Sequence, residues 1–244
     1  MKNTDFFIEK YDVVTSTNDI LSEKARNGAP EGTVIIANSQ SDGRGRQGRK
    51  FISPDRCGIY VSVLLRPECY ENMTSITTLA AVAVAKAIEK HSGRSTQIKW
   101  VNDVFQNGKK VCGILAEAVI NPSNIGLSYI ILGIGINLLK PENGFAEEIR
   151  ELAGAVFDEN ESFDKDKIVN DILLNIFGGC EDYYKEYTDR DMLKGNFVSV
   201  FQNGKYVCDA MVLGIDEDFG LCVRYTDGSE SVLRTGEVSV KFKN

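Results

Sequence analysis

Histidine is almost missing from this chain: His91 is the only one among 244 residues. The six cysteines, Cys57, Cys69, Cys112, Cys180, Cys208 and Cys222, include no C-x-x-C pair. That spacing excludes a finger-type zinc site and a dense disulfide framework. A lone histidine near the end of a helical pattern also excludes Ser-His-Asp and Cys-His machinery, and it reads as a surface residue close to a helix C-terminus. There is no run of eighteen apolar residues and no long apolar stretch after Met1, so the expectation is a soluble, cytoplasmic chain with no membrane partner. Basic residues are outnumbered, 28 against 35 acidic, for a net charge of -7. A surface devoted as a whole to nucleic acid needs a broad basic face and is excluded. Any chemistry here proceeds without imidazole.

Against that background, the segment Gly43-Arg44-Gly45-Arg46-Gln47-Gly48-Arg49-Lys50 stands out, with three glycines and four cations in an acidic protein. Glycine lets backbone N–H groups approach a ligand closely, and arginine offers a planar, permanently charged fork, so the loop is suited to wrapping an anion. Gly43-x-Gly45-x-x-Gly48 matches the dinucleotide fingerprint in letters only. That motif needs a helix starting within the glycines, whereas Phe51-Ile52-Ser53-Pro54-Asp55-Arg56-Cys57-Gly58 breaks one. A P-loop fails too, because Arg49-Lys50 occupies the place of Lys and Ser or Thr. A solvated basic loop and a Gly-Arg patch for nucleic acid remain open at this point.

The length and the 43% hydrophobic content suit one large domain with a small appendage. Ser16-Thr17-Asn18-Asp19 reads as a capping box opening a short helix that stops at Asn27-Gly28-Ala29-Pro30. Thr33 to Asn38 reads as a buried strand entering the basic loop, and Ile59 to Leu65 as a second strand leaving it. Residues 74–91 carry apolar positions at helical spacing. Thr96–Trp100, Val111–Ile120, interrupted at Gly113, and Ser128–Ile136 read as strands, and Asp166–Tyr187 as one long helix. After Asp189 the texture becomes short strands with Asn203-Gly204 and Asp227-Gly228 at hairpin positions. The predicted fold class is α+β: a mixed sheet with packed helices over residues 1–190, and a small SH3-like barrel over 191–244.

Two more clusters join the loop. Lys99-Trp100-Val101-Asn102-Asp103 ends one strand, and Lys110 to Leu115 follows a turn at Asn107-Gly108. Two lysines, an amide and a carboxylate are a fitting set for a phosphate and its metal ion, though an ordinary solvated hairpin has the same composition.

In their order, Ser16-Thr17-Asn18, Gln40, Gly43 to Arg49, Lys99 to Asp103, Lys110-x-x-Gly113-Ile114-Leu115, Gly133-Ile134-Gly135-Ile136-Asn137 and Gly236-Glu237-Val238-Ser239 resemble the biotin protein ligase family across nearly the whole chain. The resemblance implies a class II synthetase-like catalytic domain that makes biotinyl-5'-AMP from biotin and ATP with Mg²⁺. It then implies transfer of the acyl group to a lysine of a biotin carboxyl carrier domain. It places Ser16, Thr17, Asn18, Gln40, Gly43, Arg44, Gly45, Arg46, Lys110 and Gly113 around biotin. It places Arg46, Arg49, Lys99, Asn102, Asp103, Lys110 and Asn137 around ATP, with Arg46 and Lys110 as catalytic residues and Asp103 as the magnesium ligand. Biotin's carboxylate is already ionised at neutral pH, so its attack on the α-phosphorus calls for cancelled charge and not for a base, in accord with the missing histidine.

Val101 stands where the family often has proline, and Phe51 where an aromatic residue, often tryptophan, follows the loop. Only fifteen residues precede Ser16, from which a ligase without operator DNA binding is expected. Ligation of lipoate or another acid on a related fold is the nearest alternative. The strand from Gly58 to Arg66 reads either as an edge through which a homodimer pairs or as a strand buried inside the core. The basic loop is expected to be mobile when empty and to close over its ligand.

Overall fold

A computed structural model describes residues 5–66, 73–120, 127–179, 182–234 and 238–242 of the chain. Two sheets organise it. The first has seven strands, β1 (Phe7–Val14), β2 (Thr33–Gln40), β3 (Gly58–Leu65), β4 (Gln97–Lys99), β5 (Asp103–Gln106), β6 (Lys109–Ile120) and β7 (Leu127–Asn137), in the order β1-β2-β3-β7-β6-β5-β4. Only β1 and β2 run parallel; every other pair is antiparallel. The second sheet is antiparallel, with β8 (Phe197–Gln202), β9 (Lys205–Ile215), β10 (Leu221–Tyr225), β11 (Glu230–Leu233) and β12 (Val238–Phe242) in the order β11-β10-β9-β8-β12.

The two faces of the large sheet are covered unequally. Helix α2 (Met73–Ser92) and helix α3 (Lys165–Gly178) pack on one face, where Val34, Ile59, Val61, Val63, Leu132 and Ile134 enter the main core. The opposite face is covered by the shorter α1 (Thr17–Arg26), whose Leu21 and Ala25 pack with Ile35, Leu64 and Ile131. Beside the start of α1 this second face carries Gly133 opposite Ser62, and Gly135 paired with Gly113. Strand alternation sends neighbouring side chains to opposite faces, so the lack of side chains at adjacent positions leaves a hollow on the α1 face that no helix fills.

Several expectations change here. Gly113 does not interrupt β6; the strand continues through it in register with Gly135 and Asp103. The predicted long helix is two, α3 and α4 (Tyr183–Asp189). Gly178 and Gly179 end the first, Gly179 at φ 70°, a left-handed conformation that glycine adopts without a Cβ clash. Ser16 occupies the N-cap of α1, but its hydroxyl makes no capping bond. Asp19 is held instead by Arg44 at 2.7 Å. His91 is not an idle surface residue: its Nε2 lies 2.7 Å from Asp171 Oδ2, which ties α2 to α3. β3 is buried along its length and hydrogen-bonded on both sides, so it offers no free edge for self-association. β1 and the short β5 are strands the sequence reading did not contain.

The hairpin signals hold. Asn107-Gly108 joins β5 to β6 and Asn203-Gly204 joins β8 to β9, each with positive φ at both residues, the geometry that selects Asn-Gly in tight hairpins. A single apolar cluster runs from the large sheet into the small one through Trp100, Val101, Tyr187, Leu193, Val200, Phe219 and Val240. Cys69, Cys180 and the pair Gly236-Glu237 lie outside the described residues.

Candidate active site

The glycine-floored hollow opens into a cavity of about 480 Å³. Ser16, Thr17 and Asn18 enter it from the start of α1, Gln40 from the end of β2, and Arg44, Gly45, Arg46 and Arg49 from the basic loop. Lys99, Asn102 and Asp103 come from the β4–β5 turn, and Lys110 and Gly113 from β6. Of the residues singled out in the sequence, all but Gly43 and Asn137 line this space. Gly43 sits beneath it, where a Cβ would come within 2.4 Å of the Phe51 carbonyl oxygen. Asn137 donates to the Gly154 carbonyl at 3.1 Å and so anchors the segment carrying Ile149 and Leu152, which themselves line the cavity.

The two ends of the cavity differ chemically. At one end the side chains of Thr17, Asn18 and Gln40 are neutral and closely linked. The Thr17 N–H donates to Gln40 Oε1 at 2.9 Å, and the Thr17 hydroxyl lies 3.1 Å from the same oxygen. Gln40 Nε2 donates to Ser53 at 2.8 Å, and Asn18 Nδ2 donates to Glu117 at 2.6 Å. At the other end cations converge on one carboxylate. Lys110 Nζ is 2.7 Å from Asp103 Oδ1, an ion pair, and that buried oxygen has no other partner among the described residues. Arg46 Nη1 donates to Asn102 Oδ1 at 3.3 Å. Burial pushes the Arg46 guanidinium below its usual value, with the attraction of Asp103 opposing it. Burial lowers the Lys99 ammonium in the same way, again against Asp103. Bringing cations into a desolvated wall costs free energy. An anionic ligand reverses that cost by supplying the missing negative charge.

The basic loop is a tight hairpin over the cavity mouth. Arg44 pairs with Lys50, Gly45 N–H donates to the Arg49 carbonyl at 2.7 Å, and Phe51 N–H donates to the Gly43 carbonyl at 2.8 Å. The hairpin drops the Phe51 ring onto the glycine floor, where a Cβ on Gly135 would lie 2.4 Å from the ring. Arg44 reaches across to Asp19 at 2.7 Å and Glu117 at 3.1 Å, which fastens the loop to α1 and β6.

The model of the biotin/lipoate A/B protein ligase family matches residues 11–137, the stretch that carries this whole constellation up to Asn137. The chain belongs to that family. Among curated relatives of this ligase-family chain, the Bifunctional ligase/repressor BirA of Bacillus subtilis (strain 168) is 37% identical over 207 residues, covering 84% of this chain and 59% of that protein. The chain therefore spans less than two thirds of that relative's length. The biotin--[acetyl-CoA-carboxylase] ligase of Mycobacterium tuberculosis (strain ATCC 25618 / H37Rv) is 27% identical over 237 residues, 91% of this chain and 85% of that one. The solved structure of biotin protein ligase from Aquifex aeolicus in complex with biotin and ATP aligns with a TM-score of 0.83 at 26% identity, over 97% of this chain and 99% of that one. The fold class expected from the sequence, an α+β mixed-sheet domain with a small C-terminal β-domain, is the fold of these ligases.

Other residues of the ligase-family site escaped the sequence reading. Lys241 and Phe242 reach the cavity from the small sheet, with Lys99 Nζ 5.8 Å from the centre of the Phe242 ring. Ile149 and Leu152 supply an apolar wall from an irregular stretch. Glu117 and Ser62 sit behind Asn18, on strands that read as plain sheet. The glycine alternation of Gly133-Ile134-Gly135 is the one sequence signal that could have shown this face of β7 to carry no side chains of its own there.

Proposed function

We propose that this chain is the catalytic unit of a biotin protein ligase. It activates biotin with ATP to biotinyl-5'-AMP, then passes the acyl group to a lysine of a biotin carboxyl carrier domain. The observation that carries the reading is one enclosure with a neutral, hydrogen-bonding end and a cationic end. A neutral ureido ring belongs at Ser16, Thr17, Asn18 and Gln40, and the carboxylate at the other end of biotin then points toward Arg46 and Lys110. The apolar wall of Ile149 and Leu152 is suited to a purine face.

In the first step the biotin carboxylate oxygen attacks the α-phosphorus and pyrophosphate leaves. Arg46 and Lys110 hold two anions together and stabilise the charge that builds on the equatorial oxygens, while Lys99 and Arg49 face the departing phosphates. Each preorganised donor of this kind is worth on the order of 10² to 10³ in rate. Asp103 fits the magnesium that the family implies. Its Oδ1 keeps acceptor capacity, and a magnesium ion carried by a triphosphate needs only one or two protein carboxylates beside phosphate and water oxygens. When bound there, the ion would neutralise phosphate charge. In the second step the carrier lysine amine attacks the acyl carbon of the mixed anhydride and AMP leaves. Closure of the Gly43–Arg49 loop keeps water from that anhydride. A homodimer of this chain would have to use an edge other than β3.

The test is isotope exchange from pyrophosphate into ATP with biotin, with lipoate and with no acid in parallel. Exchange that depends on biotin supports the reading. Exchange driven equally by lipoate, or none with either acid, overturns it.

A further inference from the structure

Ser62, wholly buried on β3, sits behind the cavity without lining it, yet its hydroxyl oxygen lies 2.5 Å from Asn18 Oδ1 and 2.7 Å from Thr17 Oγ1. Four oxygens thus form a chain: Gln40 Oε1, Thr17 Oγ1, Ser62 Oγ and Asn18 Oδ1, the first contact being 3.1 Å. Both ends are amide oxygens that can only accept. The Gln40 amide is oriented by the Thr17 N–H on its oxygen and by its own Nε2 on Ser53. The Asn18 amide is oriented by Glu117, a carboxylate, which demands the NH₂ group and so turns Oδ1 toward Ser62.

Three contacts therefore share two hydroxyl protons. The shortest, to Asn18, can be filled only by the Ser62 proton. The next, between Ser62 and Thr17, then takes the Thr17 proton. The longest, between Thr17 and Gln40, is left without one, and Gln40 Oε1 already has the Thr17 N–H. With this arrangement every donor points the same way, from Thr17 to Ser62 to Asn18 to the Glu117 carboxylate, which Arg44 also holds at 3.1 Å. A hydroxyl that donates strongly becomes a better acceptor, and such chains reinforce themselves.

We propose that Ser62 is a specificity-determining, positioning residue: by drawing the Thr17 proton into the sheet, it turns the polar end of the cavity into an acceptor that demands an N–H donor from the ligand. The inference rests on the ligase reading above and deepens it. A cyclic urea carries two such donors. A ring with oxygen in the same place presents lone pairs to lone pairs and is rejected, because a site built to receive a donor discriminates strongly against an analogue that lacks it.

The experiment compares kcat/KM in pyrophosphate exchange for biotin and for its two cyclic carbamate isosteres, each with one ureido N–H replaced by oxygen. The parent chain is expected to disfavour at least one isostere by about tenfold or more, the worth of a single hydrogen bond at its upper range. In Ser62→Ala the Thr17 proton is no longer drawn into the sheet and can turn to Gln40 Oε1 or donate to the ligand, so the preference for biotin over that isostere shrinks while the KM for ATP stays put. General damage to the fold would move both substrates and ATP together. Ser62→Cys keeps the volume with a much weaker donor and serves if the alanine variant does not fold. An isostere preference that is absent in the parent, or unchanged in the Ser62 variants, overturns the proposal. Absence of biotin-dependent exchange in the parent chain sinks the ligase reading itself, a separate result.

Discussion

At the scale of single residues, the site is a set of cations held ready at a free-energy cost and a floor of residues that have no side chain. Arg46 is the clearest case of the first. Its guanidinium is partly desolvated and leans on Asn102 and Asp103, so its largest gain comes when a phosphate arrives. Arg46→Gly is expected to speed release of the adenylate far more than it weakens free biotin, since only the adenylate carries that phosphate. Following adenylate dissociation by stopped flow checks this, and equal release rates in variant and parent would remove Arg46 from the role. Gly133 is the clearest case of the second. A Cβ there would stand 2.3 Å from Asn18 Oδ1, and Asn18 cannot retreat without leaving Glu117 and Ser62. Gly133→Ala is expected to raise the KM for biotin at least tenfold while leaving that for ATP nearly unchanged, in line with an overpacking cost of about 1 to 3 kcal/mol. Equal effects on both substrates would mean that the glycine serves the fold and not the ring pocket. At this scale the sequence was legible where charge and glycine coincide, as in Gly43 to Arg49 and Lys99 to Lys110. Ser62 and Glu117 were invisible, because a serine on an apolar strand and a glutamate near a strand end carry no signal until the register sets them beside Asn18.

At the scale of elements, periodicity located helices and strands well but not their ends or their partners. The stripe from Ile168 to Phe177 runs on in the same period toward Tyr187, and only the adjacent glycines 178 and 179 reveal the break. β1 was missed because exposure on most of its length erases alternation: Phe7, Ile8 and Val13 are all solvent-exposed on an edge strand. The packing of α4 against α2 depends on a polar knot that no periodicity encodes. Arg190 donates to Glu89 at 2.8 Å, and Glu89 also accepts from the Thr96 N–H at 2.9 Å and its hydroxyl at 2.8 Å. Burial alone would raise the Glu89 carboxyl, but these bonds outweigh it and hold the group below its usual value. The sign follows directly. A lowered folded-state value contributes stability above the ordinary carboxylate range, near pH 4.3, and that contribution fades as pH falls through the folded value. Glu89→Gln is therefore expected to cost about 1.5 to 3 kcal/mol near neutral pH, the range for hydrogen bonds to a charged group, and progressively less below about pH 4. Urea unfolding across that pH range measures it, and a penalty independent of pH would show that charge is not what Glu89 contributes.

At the scale of the whole molecule, the sequence announced two textures but not that they share a core and a site. The small domain holds the turn between β4 and β5 by a hydrogen bond: the Trp100 Nε1–H donates to the Phe219 carbonyl at 2.9 Å, inside the protein. Phe219 sits in the β9–β10 turn at φ 60°, its ring stacked on Tyr183 at 5.1 Å and edge-on to Tyr184 and Tyr187. Tyr187 in turn donates to the Val101 carbonyl at 3.2 Å. The turn that presents Lys99, Asn102 and Asp103 is thus gripped on both sides of Val101, once by the small domain and once by α4. Because Lys241 and Phe242 enter the same cavity from the small sheet, any slackening of this grip alters the spacing between two sets of cavity-lining groups. Trp100→Phe preserves most of the packing and deletes one donor, which leaves a buried carbonyl unpaired at a cost of about 1 to 3 kcal/mol. The expected outcome is a modest loss of thermal stability together with a several-fold rise in the KM for ATP and little change in that for biotin, whose ring end we propose to lie on the far side of the cavity. If stability falls while both KM values hold, the contact merely fastens the domains, and the small sheet takes no part in setting the nucleotide end of the site.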